Sequence, residues 1–151
     1  MTSSPSTLPP RRRKLGLGDY ALLGETLATL AMASLAIKFV PFRKLTEAVS
    51  RPPRRRRSPQ VDVRRLGWAV GAWRRRVPWK AVCFQCALCL QAMLRRRGVP
   101  SVMHYGIAKE QDEALKAHVW LSVDGQIVIG GEEASRFACV ATFPSNGSPT
   151  Q

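Results

Sequence analysis

Residues 83–98 read Cys-Phe-Gln-Cys-Ala-Leu-Cys-Leu-Gln-Ala-Met-Leu-Arg-Arg-Arg-Gly. Val82, Cys86, Leu90, Met93 and Leu94 recur at helical spacing and share one face. Arg95, Arg96 and Arg97 fill the last turn, where cations suit the negative end of the helix dipole. Gly98 tolerates positive φ and Pro100 blocks continuation, so the helix has a defined end. The spacing therefore predicts a helix with Cys83 in its first turn. Unpaired N–H groups and the positive dipole end stabilise a thiolate at such a position.

A nucleophilic thiol needs a base. Residues 117–129 read Ala-His-Val-Trp-Leu-Ser-Val-Asp-Gly-Gln-Ile-Val-Ile. Apolar residues alternate on both sides of Asp124-Gly125, a strong signal for a two-residue hairpin. His118 is thus expected near the start of a strand. Cysteine at a helix start followed by histidine on a strand is the order of papain-like and transglutaminase-like sites. The same residues also read as a buried structural cysteine and a satisfied strand histidine.

Cys86 and Cys89 compete with Cys83 for the nucleophile's role. In a helix they are rotated from it by about 300° and about 240°, so one of the three can face the histidine from the first turn. Cys-x-x-Cys-x-x-Cys also has the spacing of an iron–sulfur run. A regular helix points these thiols apart, and Cys139 lies 50 residues beyond Cys89. No metal is expected.

Several blocks together carry a family resemblance. They are Pro78-Trp79-Lys80-Ala81-Val82-Cys83-Phe84-Gln85, Arg97-Gly98-Val99-Pro100, Ala117-His118-Val119-Trp120 and Gly130-Gly131-Glu132. Val40-Pro41-Phe42-Arg43-Lys44-Leu45 and Ala141-Thr142-Phe143-Pro144 add to them. From about Ala21 to Pro144 the chain resembles the lasso-peptide biosynthesis B protein, a transglutaminase-like leader peptidase. The resemblance implies a cytoplasmic cysteine peptidase that removes the leader from a lasso-peptide precursor. It places the nucleophile at Cys83 and the base at His118. It implies a separate asparagine-synthetase-like cyclase that uses ATP and a leader-recognition domain that some members carry fused at the front. Because the first 80 residues here are helical and basic, a separate leader-recognition protein is expected. No cofactor bound directly to this chain is expected.

The third member of such a site orients the imidazole. If Asp124-Gly125 is the turn, Val123 opposes Gln126 and His118 opposes Gly131. Asp124 then lies about 20 Å along the strand from His118. Glu132, beside Gly131, is in reach, with Glu133 as substitute. The family more commonly carries Asp there. Gln85 and the Cys83 N–H are candidate oxyanion donors. Trp120 shares the His118 face of its strand, and His104 reads as a structural or surface histidine.

The charge is lopsided. Residues 1–80 hold eighteen Lys or Arg against four Asp or Glu, and residues 81–151 hold six of each. Residues 1–16 are expected to be a disordered basic arm. A single domain is expected over 17–144, with a Pro/Arg linker at 51–59 and a loose tail at 145–151. Within it, Asp19 is expected to cap a helix running to Phe39, and helical spacing returns over Val61–Arg76. The Ala/Leu-rich run suits a core helix better than a spanning one, and peripheral membrane contact is the secondary reading. The cysteine spacing and the polar N-terminus point to a reduced, cytoplasmic protein. The fold class is α+β: a helical N-terminal part, then a transglutaminase-like (papain-like) core with a small antiparallel sheet. The rival functions are a basic nucleic-acid- or membrane-binding module with a structural Cys/His pair, and an acyl-transferring transglutaminase. No specific nucleic acid is expected.

Overall fold

The computed structural model describes residues 15–51, 60–78, 83–109 and 115–144. Residues 1–14 of the expected 1–16 arm, 52–59 of the expected 51–59 linker, 79–82 ahead of Cys83, 110–114 and the tail at 145–151 lie outside the described residues, while Gly16 and Arg51 flank α1 and α2. Helices α1 (Leu17–Phe39), α2 (Phe42–Ser50), α3 (Val63–Arg74) and α4 (Cys83–Arg96) come first. Strands β1 (Val102–Lys109), β2 (Leu115–Val123) and β3 (Gln126–Ile129) follow, then the short helix α5 (Gly131–Ala134) and β4 (Ala138–Phe143). The α+β architecture matches the expectation, with four strands in the order β3-β2-β1-β4, all antiparallel.

α1 begins two residues earlier than Asp19. Asp19 is not the cap but the third helical residue, and its Oδ2 accepts from the Gly16 N–H at 2.9 Å. Its Oδ1 accepts from Nε of Arg65 at 2.9 Å, which ties α1 to α3. α3 carries a true cap, because the Asp62 carboxylate accepts from the Arg65 N–H at 3.0 Å.

α4 is the centre of the molecule. The sequence predicts one apolar face, yet Cys86 to Gln91, Met93 and Leu94 are all buried. A helix apolar on most sides belongs inside, and α4 packs against α1, α2, α3 and β2. Its far end is clamped to α1. Glu25 Oε1 accepts from Nη1 of Arg97 at 2.9 Å and from Nη2 of Arg96 at 3.1 Å. Gly98 then takes φ +72° and the chain reverses into β1.

The β2–β3 turn has the predicted geometry. Asp124 and Gly125 adopt φ +51° and +78°, the two left-handed residues that a type I′ turn needs. Val123 opposes Gln126 as expected. The register then slips: Ser122 faces Ile127, but Leu121 faces Ile129. After Ile129 the chain leaves the ladder, because Gly130 turns at φ +78° into α5. The expected pairing of His118 with Gly131 therefore does not form. A bulge and a left-handed glycine end β3 before it reaches that level.

Alternation along β2 separates two sets of side chains. Val119, Leu121 and Val123 join the core formed with Leu90, Met93, Leu94 and Val70. His118, Trp120 and Ser122 belong to the other face, and all three are buried there as well.

Candidate active site

Cys83 is the first residue of α4 and is half-buried. The first N–H groups of a helix have no intrahelical partner, so the thiol sits at the positive end of the helix dipole. Cys86 and Cys89 lie deeper in the same helix. Burial pushes the Cys86 thiol up to about 11, eased by Arg74, and pushes Cys89 up to about 12. Both remain protonated near neutral pH and behave as small core residues. Cys139 is exposed on β4, with Sγ 3.6 Å from the Ala141 carbonyl.

After the short reversal at 97–101, α4 packs against β2, the strand that carries His118 and pairs with β1. α4 spans about 21 Å, and His118 faces Gly106, four residues up β1 from its start. Among the described residues no hydrogen bond joins Cys83 to His118. Hydrogen bonds of this kind are often long before substrate arrives.

The imidazole of His118 is held on three sides. It lies against Trp120 with ring centroids 6.0 Å apart at 24°, and against Phe137 at 5.0 Å and 33°. Its Nε2 is 2.8 Å from the Gly130 carbonyl oxygen. A carbonyl only accepts, so Nε2 carries an N–H, and in the neutral ring the lone pair is then on Nδ1. The ring is therefore fixed in the tautomer that offers Nδ1 as a base. The sharp turn at Gly130 aims this carbonyl. A Cβ at Gly130 would stand 2.8 Å from the Val119 oxygen and 3.0 Å from Cβ of Trp120.

This places the anticipated third member differently. Glu132 is exposed in α5, and the position it would fill beside Nε2 is held by a backbone oxygen two residues earlier. Glu133 is exposed as well, and Asp124 stands at the far end of β2 in the turn. The Gly130-Gly131 pair was the available signal for Gly130, because two glycines after an alternating strand mark a turn. Nothing in the local pattern marked Phe137.

Trp120 also stacks on His104, with centroids 5.5 Å apart and planes within 4°. His104 Nε2 lies 2.7 Å from Ser122 Oγ, and burial holds its pKa below the ordinary histidine value. Its role is structural. Gly106 makes the stack possible, since a Cβ there would fall 2.6 Å from Cζ3 of Trp120.

An open hollow of about 690 Å³ lies beside this cluster, lined in part by Trp68, Arg74, Arg75, Gly130 and Glu132. Its lining comes from α3, β3 and the turn into α5, and it reaches the Gly130 turn whose carbonyl holds His118. Among the described residues no group of His, Cys, Asp or Glu is placed to hold a metal ion.

The sequence profile of the transglutaminase-like superfamily matches residues 26–142. This chain belongs to the transglutaminase-like superfamily. The superfamily generally contains cysteine-dependent enzymes, and its fold is compatible with a peptidase or an acyltransferase. The match takes in the cysteine helix, the histidine strand and most of the N-terminal helices of this transglutaminase-like domain. No curated protein and no solved structure matches the chain.

Proposed function

We propose that this transglutaminase-like protein is a cytoplasmic cysteine peptidase that cleaves the leader from a lasso-peptide precursor. Cys83 is the nucleophile and His118 the base. The observation that supports the reading is the hydrogen bond from His118 Nε2–H to Gly130, which leaves Nδ1 of the neutral ring as the base, on the strand that packs against the helix begun by Cys83. The Cys83 and His118 sequence blocks, in this order, favour the lasso-pathway assignment within the superfamily.

Nδ1 of His118 takes the Cys83 proton, and the thiolate adds to the scissile carbonyl. Donors at the start of α4 stabilise the oxyanion, with Cys83 N–H and Gln85 as candidates. The intermediate collapses by breaking the C–N bond, and His118 gives its proton to the leaving amine. A water then loses a proton to Nδ1 and attacks the thioester. The leader leaves with a free carboxylate, and the thiol is restored. The partners proposed are a separate recognition protein for the leader and an asparagine-synthetase-like cyclase that consumes ATP to close the freed core.

The test is mass spectrometry of precursor incubated with this chain and the recognition protein. The expected products are an intact core with a free amine and a leader with a free carboxylate. A leader amide formed with an added amine, in place of the acid, would assign acyl transfer instead. Uncut precursor with both proteins present would overturn the peptidase reading.

A further inference from the structure

α1 is built the wrong way round for a core helix. Its buried face carries Asp19, Thr26 and Thr29 beside Leu22, Leu30 and Ala33. Its outer face carries Leu17, Tyr20, Met32, Leu35 and Phe39, exposed by 56% to 90%. At about 100° per residue, these five fall within an arc of roughly 120°, opposite the buried set. Ala21, Gly24, Ala28 and Ala31 also fall in the arc, with Lys38 at its edge, and the arc contains no acid. Phe42, 54% exposed at the start of α2, extends the apolar surface past the helix end.

Cations flank that end. Lys38 lies over the Phe39 ring at 5.6 Å, and Arg43 and Lys44 are exposed beside Phe42. The chain as a whole carries +14. An apolar arc, aromatic residues at both ends and flanking cations are the composition of a helix that lies in a membrane interface.

We propose that the outer face of α1 docks on an anionic lipid bilayer, lying in the headgroup layer and not crossing it. By length and composition α1 would qualify as a membrane span. Its inner face forbids that. Crossing would strip Asp19 from Arg65 and Glu25 from Arg96 and Arg97, and would leave both carboxylates in hydrocarbon. The helix stays on the protein and presents about 34 Å of apolar surface to the lipid. The charge pattern favours an anionic surface over a protein groove, since the exposed arc offers no acid for a basic or mixed partner to pair with.

The experiment is flotation of the full chain with phosphatidylcholine vesicles, with and without phosphatidylglycerol. Capture is expected with the anionic vesicles and should weaken as salt is raised. Met32→Glu with Leu35→Glu should lower apparent affinity about tenfold or more, with an unchanged circular dichroism spectrum because both sites are exposed. Replacing Lys38, Arg43 and Lys44 by Gln should lower it by roughly fivefold per cation at low salt. Absence of capture by anionic vesicles would overturn the proposal. So would capture undiminished by the double Glu substitution, which would mean the basic segments bind by charge alone. A dimer that the same substitution dissolves, with no vesicle capture, would assign the face to a second copy of this chain.

Discussion

On the side of β2 that meets the helices, Val119, Leu121 and Val123 are aliphatic and pack on α4. On the other side, one residue out of step, His118, Trp120 and Ser122 are equally buried but polar or aromatic, and each meets a ring or a hydrogen-bond partner. Both faces are closed to water, so exclusion of solvent does not distinguish them. The difference is what burial is used for. One face gains by removing carbon from water; the other fixes the orientation and tautomer of an imidazole. Substitutions on the first should change stability with little change in chemistry, and those on the second should do the reverse.

The largest effect is expected at the two reacting groups. Cys83→Ala and His118→Ala should each lower turnover by about 10⁴-fold or more. Melting of the Cys83 variant should stay close to that of the wild type. Cleavage assays beside a thermal scan separate the two readouts. A folded Cys83→Ala that still cuts would remove the nucleophile assignment.

Next comes the aliphatic face. Leu121 is fully buried, and Leu121→Ala should destabilise the fold by about 2–5 kcal/mol. Turnover per folded molecule should hold. Urea titration measures the loss. A stable but inactive variant would show that the two faces are not independent.

Gly130→Ala tests the polar face by its backbone. Alanine at φ +78° costs roughly 1–2 kcal/mol, and its Cβ has no room beside the Val119 oxygen. Moving that carbonyl frees the imidazole, so turnover should fall by more than stability explains. Glu132→Gln is the partner measurement. With Nε2 held by Gly130, it should change turnover by less than about threefold. A folded Glu132→Gln with a hundredfold loss would return the orienting role to the carboxylate.

The smallest effect concerns pH. The hydrogen bond from Arg97 holds Glu25 below its ordinary value of 4.5, against the opposing effect of burial. A carboxylate depressed in the folded state contributes stability above about 4.5. That contribution is lost as pH falls through the folded value. Urea midpoints of the wild type should therefore drop through this acid window, and Glu25→Gln should flatten the drop. Parallel curves would show that the α1–α4 clamp contributes nothing measurable.

Much of the scaffold was readable from single residues. The run ending Arg95-Arg96-Arg97-Gly98 set the end of α4, and Asp124-Gly125 set the hairpin, because each depends on local dihedral and dipole preferences. What escaped was set by longer-range packing. The simple register lets β3 run on to Glu132, but the left-handed turn at Gly130 takes the chain out of the ladder first, and its carbonyl meets His118 instead. The burial of α4 on all sides was hidden because α1 and α3 cover faces that periodicity alone leaves open. Asp19 looked like a cap because its real partner, Arg65, lies 46 residues away.

The clamp at Glu25 gives α4 two unlike ends. One end begins with the thiol; the other is fastened to α1 through Arg96 and Arg97. Between them lies a buried, stiff rod with no proline and no glycine to bend at. Such a rod behaves as a lever whose short grip is α1. A load placed on α1 is therefore carried along α4 towards its Cys83 end.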